Sequence, residues 1–195
     1  MYTIKNEIEN EIIIKNSKFI TVLIPINDTK KINEIIDTLK IKYPKATHYC
    51  YAYVTKDHQK SSDDKEPSST AGLPMLNVLL KNNIINVLAV TIRYFGGIKL
   101  GSGGLVRAYS KSVSNALEKS TIIELEKALT VEIKTAYENQ KQLDYILKNA
   151  NILSKEFKEE ITYTAIIPIC LEKELSAYNY KILTTDSYIE KNKSS

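Results

Sequence analysis

Apolar residues in the first fifty positions follow first a strand pattern and then a helix pattern. Residues 11–26 are rich in β-branched side chains and are interrupted at Asn16, which predicts two strands joined by a turn. Beyond Asn27 or Asp28, either of which can cap a helix, isoleucine and leucine recur at helical spacing until Pro44. This spacing predicts an amphipathic helix after the hairpin.

The segment 47–54 alternates strictly and predicts a strand with two different faces. His48 and Cys50 share one face, so a Cys-His nucleophile is one interpretation, provided that the site is open. The other face carries three aromatic side chains, which either pack across a half-buried sheet or offer a platform on which nucleic-acid bases stack. These are Tyr49, Tyr51 and Tyr53.

Polar and glycine-rich segments separate the next predicted elements. Residues 55–69 contain almost no apolar residue and predict an exposed loop. A helix is predicted after Thr70, which can act as its cap, and a strand is predicted at 85–94, with Arg93 on its less apolar face. The glycine-rich turn then leads into a helix that begins near Gly103.

The pattern beyond residue 125 predicts a second, smaller domain. A strand is predicted at 130–135 and a helix at 138–149. Two strands follow at 152–158 and 160–169, then a weaker helix and a last strand at 182–189. This β-α-β-β-α-β order is the ferredoxin-like arrangement. The sequence therefore predicts an α+β protein with domains at 1–125 and 126–195.

Composition narrows the class of protein. With 43% hydrophobic and 26% charged residues, the chain has the composition of a folded protein and not of a disordered one. Its apolar runs are far shorter than the roughly 20 residues that span a bilayer. The N-terminus carries acids where a signal peptide needs an apolar core, and two distant cysteines suit a reducing compartment. We therefore expect a cytoplasmic protein without a membrane segment.

Positive charge is concentrated in the first predicted domain. Residues 1–125 contain 17 Lys and Arg against 12 Asp and Glu, whereas residues 126–195 contain 10 against 11. No acidic residue occurs between Pro67 and Leu117, and this span holds Lys81, Arg93, Lys99, Arg107 and Lys111. Such a span indicates an anionic partner such as RNA, although a long apolar stretch can also lack acids without any partner.

Five of the six glycines lie in one short segment beside these cations. A strand, a glycine turn and a helix N-terminus bring bare backbone N–H groups together, which predicts an anion site. Alternatively, the glycines only permit positive φ and close packing. The segment matches neither a Walker loop nor a dinucleotide fingerprint, so no cofactor is predicted. The predicted anion or nucleic-acid site consists of Arg93, Gly96, Gly97, Lys99, Gly101, Gly103, Gly104, Arg107 and Lys111.

A second group of polar residues lies mostly in the predicted loop. His48, Asp64, Glu66 and Thr70 form a candidate polar site, since carboxylates and an imidazole are the usual parts of acid-base catalysis. Their spacing does not indicate a metal site. A solvated loop and a structural histidine are the alternative interpretation.

Four segments resemble the YigZ/IMPACT family in order and spacing: SKFI, ATHYCYAYV, SSDDKEPSSTAGLPMLNVL and NVLAVTIRYFGGIKLGSGGLVRAY. The resemblance runs from about Ser17 to Leu117. The family's Arg-aromatic-aromatic-Gly-Gly element with its following Leu-Gly is matched by Arg93, Tyr94, Phe95, Gly96, Gly97, Leu100 and Gly101. The family's Gly-Glu-Pro-x-Gly-Thr-Ala-Gly segment is altered, because Lys65 and Ser69 replace its first two glycines. A loop that needs positive φ at those positions would be strained.

This resemblance implies a fold and a function. The N-terminal domain is expected to have the fold of the second domain of the fifth small-subunit ribosomal protein, also found as domain IV of elongation factor G. Eukaryotic relatives regulate translation under stress, so the expected function is a regulator of translation that binds RNA or the ribosome through the basic glycine-rich surface. The alternative is an enzyme acting on a phosphorylated or nucleotide substrate, with the glycine turn as phosphate cradle and His48, Asp64 or Glu66 as acid-base group.

Overall fold

The computed structural model describes residues 1–191, and the chain divides into two compact units, Met1–Ile123 and Glu124–Ser195. The first unit begins with β1 (Tyr2–Ile4), β2 (Ile8–Ile14), β3 (Ser17–Pro25), α1 (Ile32–Lys42) and β4 (His48–Val54). It continues with β5 (Gln59–Ser62), α2 (Gly72–Lys81), β6 (Val87–Tyr94) and α3 (Ser102–Glu118). The remaining elements are β7 (Ile122–Thr135), α4 (Gln140–Ile146), β8 (Asn151–Phe157), β9 (Ile161–Pro168) and β10 (Asn179–Glu190). Among the described residues, no helix has the length and apolar character needed to cross a bilayer.

The first unit is built on an antiparallel sheet of order β2-β3-β6-β4-β5. The predicted hairpin is present, and it turns at Lys15 and Asn16, whose φ values of 45° and 62° are typical of the two-residue turns that match strand twist. Strand β6 is central and is buried along its whole length except at Tyr94. The sheet therefore places β3 and β4 on either side of Arg93.

Helix α1 covers one face of this sheet. Its Ile32, Ile36 and Leu39 join a core cluster with β3 and β6, and the three tyrosines of β4 are half-buried against the same cluster. The tyrosine row is therefore cross-strand packing and not an open stacking platform. Asp28 does act as a cap, but of the 3₁₀ turn Thr29–Lys31 that precedes α1: its Oδ1 accepts the Lys30 N–H at 2.9 Å.

Helix α3 lies on the opposite face, which carries His48, Cys50 and Arg93. Its Ser112 hydroxyl lies 2.6 Å from that of Thr21 in β3, and its Tyr109 hydroxyl lies 3.3 Å from the Cys50 sulfur. Helix α2 packs beside α3 and over β4 and β5. Arg93 is therefore covered by helices, because the less apolar face of β6 is an inner face.

The prediction of an exposed loop at 55–69 is wrong in two respects. Residues 59–62 form the edge strand β5, which pairs antiparallel with β4, and Glu66 is buried. Strand β5 has no apolar alternation, because its order comes from backbone hydrogen bonds to β4 and not from side-chain burial.

The second unit contains an antiparallel sheet in which the strands pair in the order β10-β7-β9-β8. Apolar residues of β7 and β9 form its core with Leu143 of α4. The predicted weak helix is a 3₁₀ helix over Ile169–Ala177. The last four residues of the predicted domain 126–195 lie outside the described residues.

Candidate anion and nucleic-acid interface

The turn between β6 and α3 uses three of its glycines for two different structural reasons. At Gly96 there is no room for a side chain, because an added Cβ would overlap the backbone of Asn16 and Ser17. Gly97 and Gly101 have φ of 84° and 73°, the left-handed region that favours glycine. The packing interpretation of these three glycines is therefore correct, and it leaves the first turn of α3 as the place where an anion can bind.

Helix α3 begins at Ser102 without a side-chain cap. Its first turn is closed by the Leu105 N–H, which donates to the Gly101 carbonyl at 2.9 Å. Among the described residues, nothing accepts from the N–H groups of Ser102, Gly103 and Gly104. Three N–H donors at the positive end of a 17-residue helix are the usual elements of an anion site.

A cavity of about 360 Å³ lies at this helix start. Its wall combines donors from the turn and from α3 with a buried ion pair, whose arginine is in β6 and whose carboxylate is in the loop between β5 and α2. The lining residues are Glu66, Pro67, Arg93, Phe95, Lys99, Leu100, Gly101, Ser102 and Leu105.

The ion pair at the cavity joins Arg93 to Glu66. Arg93 Nη1 donates to Glu66 Oε1 at 2.5 Å, and the two side chains are only 6% and 4% exposed. The Tyr109 hydroxyl donates to the same oxygen at 2.8 Å. The sequence places Arg93 with the cations of a binding surface, but the structure neutralises it inside the protein, because a charge buried on an inner sheet face requires a partner.

His48 lies beside the same carboxylate. Its Nδ1 is 2.7 Å from the Asp64 carbonyl, which can only accept, so Nδ1 carries the hydrogen. Its Nε2 is then directed to Glu66 Oε2, at 3.8 Å. The Asp64 carboxylate instead accepts the Tyr49 N–H at 2.7 Å. Of the candidate polar site, the structure thus brings together His48 and Glu66 and holds Asp64 against the β4 backbone.

The Cys50 thiol is not available as a nucleophile. It is fully buried, and its sulfur donates to the Asp63 carbonyl at 3.0 Å. Burial raises the pKa of the Cys50 thiol far above its ordinary value. The interpretation of His48 and Cys50 as a catalytic pair is therefore wrong, since the attacking species would be the thiolate.

Asp63 has a structural role that the sequence did not reveal. Its carboxylate accepts the backbone N–H groups of Ser69, Ala71 and Gly72 at 2.8, 2.9 and 2.8 Å. It therefore caps α2 from nine residues upstream of Gly72, whereas Thr70 donates its hydroxyl to the Pro67 carbonyl at 2.6 Å. Thr70 is not the cap, and the local cap pattern offered no signal for a carboxylate at this distance.

Three exposed cations lie before α3 or along it: Lys99 precedes the helix, Arg107 is in its second turn and Lys111 is near its middle. We call these three residues the basic start of α3. Arg107 turns back toward the first helical turn, because its Nη1 lies 3.6 Å from the position that a Cβ at Gly103 would take. Within residues 1–191, none of the three has a carboxylate within ion-pair distance. The structure thus leaves these three cations exposed, with Arg107 and Lys111 one turn apart on α3, and separates Arg93 from them by burial.

The close approach at Gly96 predicts opposite effects for two Gly→Ala substitutions. Gly96→Ala is expected to lower the free energy of unfolding by about 1–3 kcal/mol, because its methyl group must displace the β2–β3 turn. At Gly103 an added Cβ contacts only the Arg107 side chain. Gly103→Ala is therefore expected to raise the free energy of unfolding by up to about 1 kcal/mol, since alanine favours the helix more than glycine does. Urea unfolding of the two variants measures both. Equal stability of the two would contradict the packing role of Gly96.

The loop before α2 contains the strain that its sequence suggests. Lys65 and Ser69 have φ of 69° and 62°, so non-glycine residues stand in the left-handed region at both positions. Ser69→Gly is expected to raise the free energy of unfolding by about 0.5–1 kcal/mol, because the relief of about 1–2 kcal/mol exceeds the entropy that glycine adds to the unfolded chain. The neighbouring Ser68→Gly, at a position without positive φ, is the matched control and should lower stability. Thermal unfolding that ranks Ser68→Gly above Ser69→Gly would reject the strain.

The family of the chain follows from its sequence neighbours. The model of the Impact N-terminal domain matches residues 15–117, from the β2–β3 turn to the end of α3. The chain belongs to the IMPACT family. The IMPACT family member YvyE of Bacillus subtilis is 39% identical over 183 residues, which are 91% of this chain and 83% of the relative. The IMPACT family member YigZ of Escherichia coli is 31% identical over 171 residues, 84% of each chain. The expected family is thereby confirmed.

A solved structure shares the fold. A crystal structure described as that of a hypothetical protein is 28% identical to this IMPACT family member, with a TM-score of 0.70. The match covers 90% of this chain and 89% of the other. The likeness therefore extends well beyond the span of the Impact N-terminal domain.

Proposed function

We propose that this IMPACT family member is a regulator of translation that binds RNA or the ribosome through the basic start of α3. The observation that carries the proposal is that three exposed cations without carboxylate partners, within residues 1–191, lie just before α3 and along it, and that the N-terminus of this helix has no side-chain cap. The surrounding span, from Pro67 to Leu117, contains no acid. RNA phosphates are the partner that this arrangement suits, since they supply negative charge at regular spacing.

The helix dipole strengthens this argument. A cation near the positive end of a helix is unfavourable, by about 0.3–1 kcal/mol at an exposed position. Arg107, folded back toward Gly103, adds its charge to the partial charges of the free N–H groups. A bound phosphate removes this repulsion, so the arrangement favours an anionic partner.

The two units fit the domains of the proposal. We infer that residues 1–125 have the ribosomal-protein and elongation-factor fold that the family resemblance implies, and that residues 126–195 form a ferredoxin-like domain. The division after Ile123 and the β10-β7-β9-β8 strand order support this inference. A cytoplasmic location and a role under stress belong to the same proposal.

An enzyme acting on a phosphorylated or nucleotide substrate is the second candidate. It is favoured by the distance of 3.8 Å between His48 Nε2 and the carboxylate of Glu66, because Glu66 lines the cavity. The Glu66 oxygen Oε1 is, however, held by both Arg93 and Tyr109. A carboxylate so fixed is suited to positioning Arg93 more than to moving a proton.

Binding of the full chain to a fluorescent single-stranded RNA over a range of salt concentrations tests the proposal. The logarithm of the binding constant should fall linearly with the logarithm of salt, with a slope of about −2, since each of three neutralised phosphates contributes about 0.7. The slope should not depend on RNA sequence. Absence of binding at low salt, or binding that does not respond to salt, would refute it.

A further inference from the structure

The cavity at the start of α3 has more donors than a passing strand of RNA requires. We propose that it binds a phosphomonoester, the terminal phosphate of an RNA strand, and so adds recognition of an RNA end to the backbone binding of the proposed function, on which it rests. Ser102 and Lys99 line this cavity, and the free backbone N–H groups of Gly103 and Gly104 follow that of Ser102 in the first turn of α3. A terminal phosphate presents three free oxygens and up to two charges, so it can use all of these donors.

A buried guanidinium without a full set of partners is the second observation. Arg93 lines the cavity and its side chain is 6% exposed, yet its Nε is buried and has no hydrogen-bond partner among the described residues. Buried polar groups without a partner are rare and require an explanation. An anionic oxygen in the cavity is such an explanation, since it would accept from the guanidinium.

The charge of Glu66 does not exclude an anion from this cavity. Its carboxylate is offset by Arg93 and also accepts from Tyr109. The charge that remains for a ligand is positive, because it comes from Lys99 and the N-terminus of α3. The site therefore favours an end group with two charges over the single charge of an internal phosphodiester.

The size and the wall of the cavity suit one terminal nucleotide. A volume of about 360 Å³ is near the lower limit of about 300 Å³ for small-molecule sites. Phe95 is 48% exposed, and the Arg93 guanidinium lies 5.6 Å from its ring centroid. The exposed part of this ring can stack on the base of the terminal nucleotide.

The test compares one RNA oligonucleotide in three forms, with a 5′-phosphate, with a 3′-phosphate and with hydroxyl groups at both ends, on the full chain. One phosphorylated form should bind at least about tenfold more tightly than the hydroxyl form, as expected for lost charge-assisted hydrogen bonds. Competition by adenosine monophosphate shows whether the phosphate of a free nucleotide also binds in the cavity. Competition by inorganic phosphate tests whether the anion alone is sufficient.

Two variants separate this proposal from the proposed function. Lys99→Ala should abolish most of the preference for the phosphorylated form, because Lys99 lines the cavity. Lys111→Ala should weaken all three forms equally and leave their ratio unchanged, because Lys111 is outside it. If the unaltered chain binds all three forms with equal affinity, and this binding weakens with salt, recognition of the RNA end is overturned and binding of the RNA backbone is still supported. Competition by adenosine monophosphate without RNA binding would support the phosphate site and overturn the proposed function.

Discussion

Replacement of Glu66 by alanine is expected to lower the free energy of unfolding by about 3–5 kcal/mol, as found when one partner of a buried ion pair is removed. The change would leave the Arg93 charge buried without its carboxylate, and the Tyr109 hydroxyl without its acceptor. Urea unfolding of the full chain measures the loss. Adding Arg93→Met should recover part of it, because the unpaired charge is then removed.

An exposed ion pair provides the control for Glu66. Glu11 lies 3.1 Å from Lys18, and both side chains are more than 40% exposed. Glu11→Ala should therefore change the free energy of unfolding by no more than about 1 kcal/mol. Similar losses in Glu66→Ala and Glu11→Ala would show that the buried pair does not stabilise the domain as described.

Substitution of single cations is expected to change the salt dependence of RNA binding in equal steps. Lys99→Ala, Arg107→Ala and Lys111→Ala should each reduce the magnitude of the slope by about 0.7 for an RNA without a terminal phosphate, because each removes one phosphate contact. The loss of affinity should be similar for every RNA sequence, since phosphates carry no sequence information.

Lys141 and Arg93 provide contrasting controls for these cations. Lys141, an exposed lysine of α4, carries the same charge on the second unit, so Lys141→Ala should leave the slope unchanged. Arg93 is buried against Glu66, so its replacement should affect stability more than slope. If one substitution alone causes a large loss of function and the other variants keep the salt slope of the unaltered chain, a catalytic site would be favoured.

Elements that follow from local pattern could be predicted from the sequence. The hairpin follows from runs of β-branched residues, and α1 and α3 follow from apolar residues at helical spacing. These signals lie within a few residues of each other in the sequence. The less apolar face of β6 was also predicted correctly, because alternation alone assigns Thr91 and Arg93 to one side. The acid-free span drew attention to Lys99, Arg107 and Lys111, which are exposed in the structure, and their role in binding stays a prediction.

The site beneath the turn could not be predicted, because it depends on contacts between distant residues. The β4–β6 register sets His48 opposite Arg93, and Glu66 reaches Arg93 across 27 positions. A signal was present, since an arginine in an otherwise apolar strand requires a carboxylate, and Glu66 is the last acid before the acid-free span. Its identification required the three-dimensional fold, in which the loop after β5 contacts His48 and Cys50 of β4 and brings Glu66 to Arg93 of β6.

The most direct measurement of the central claim is the salt dependence of RNA binding by the variant in which Lys99, Arg107 and Lys111 are all alanine. We expect that the slope, about −2 in the unaltered chain, falls close to zero, while the free energy of unfolding changes by less than about 1 kcal/mol. An unchanged slope and affinity in a variant that is fully folded would contradict the claim that the basic start of α3 binds RNA.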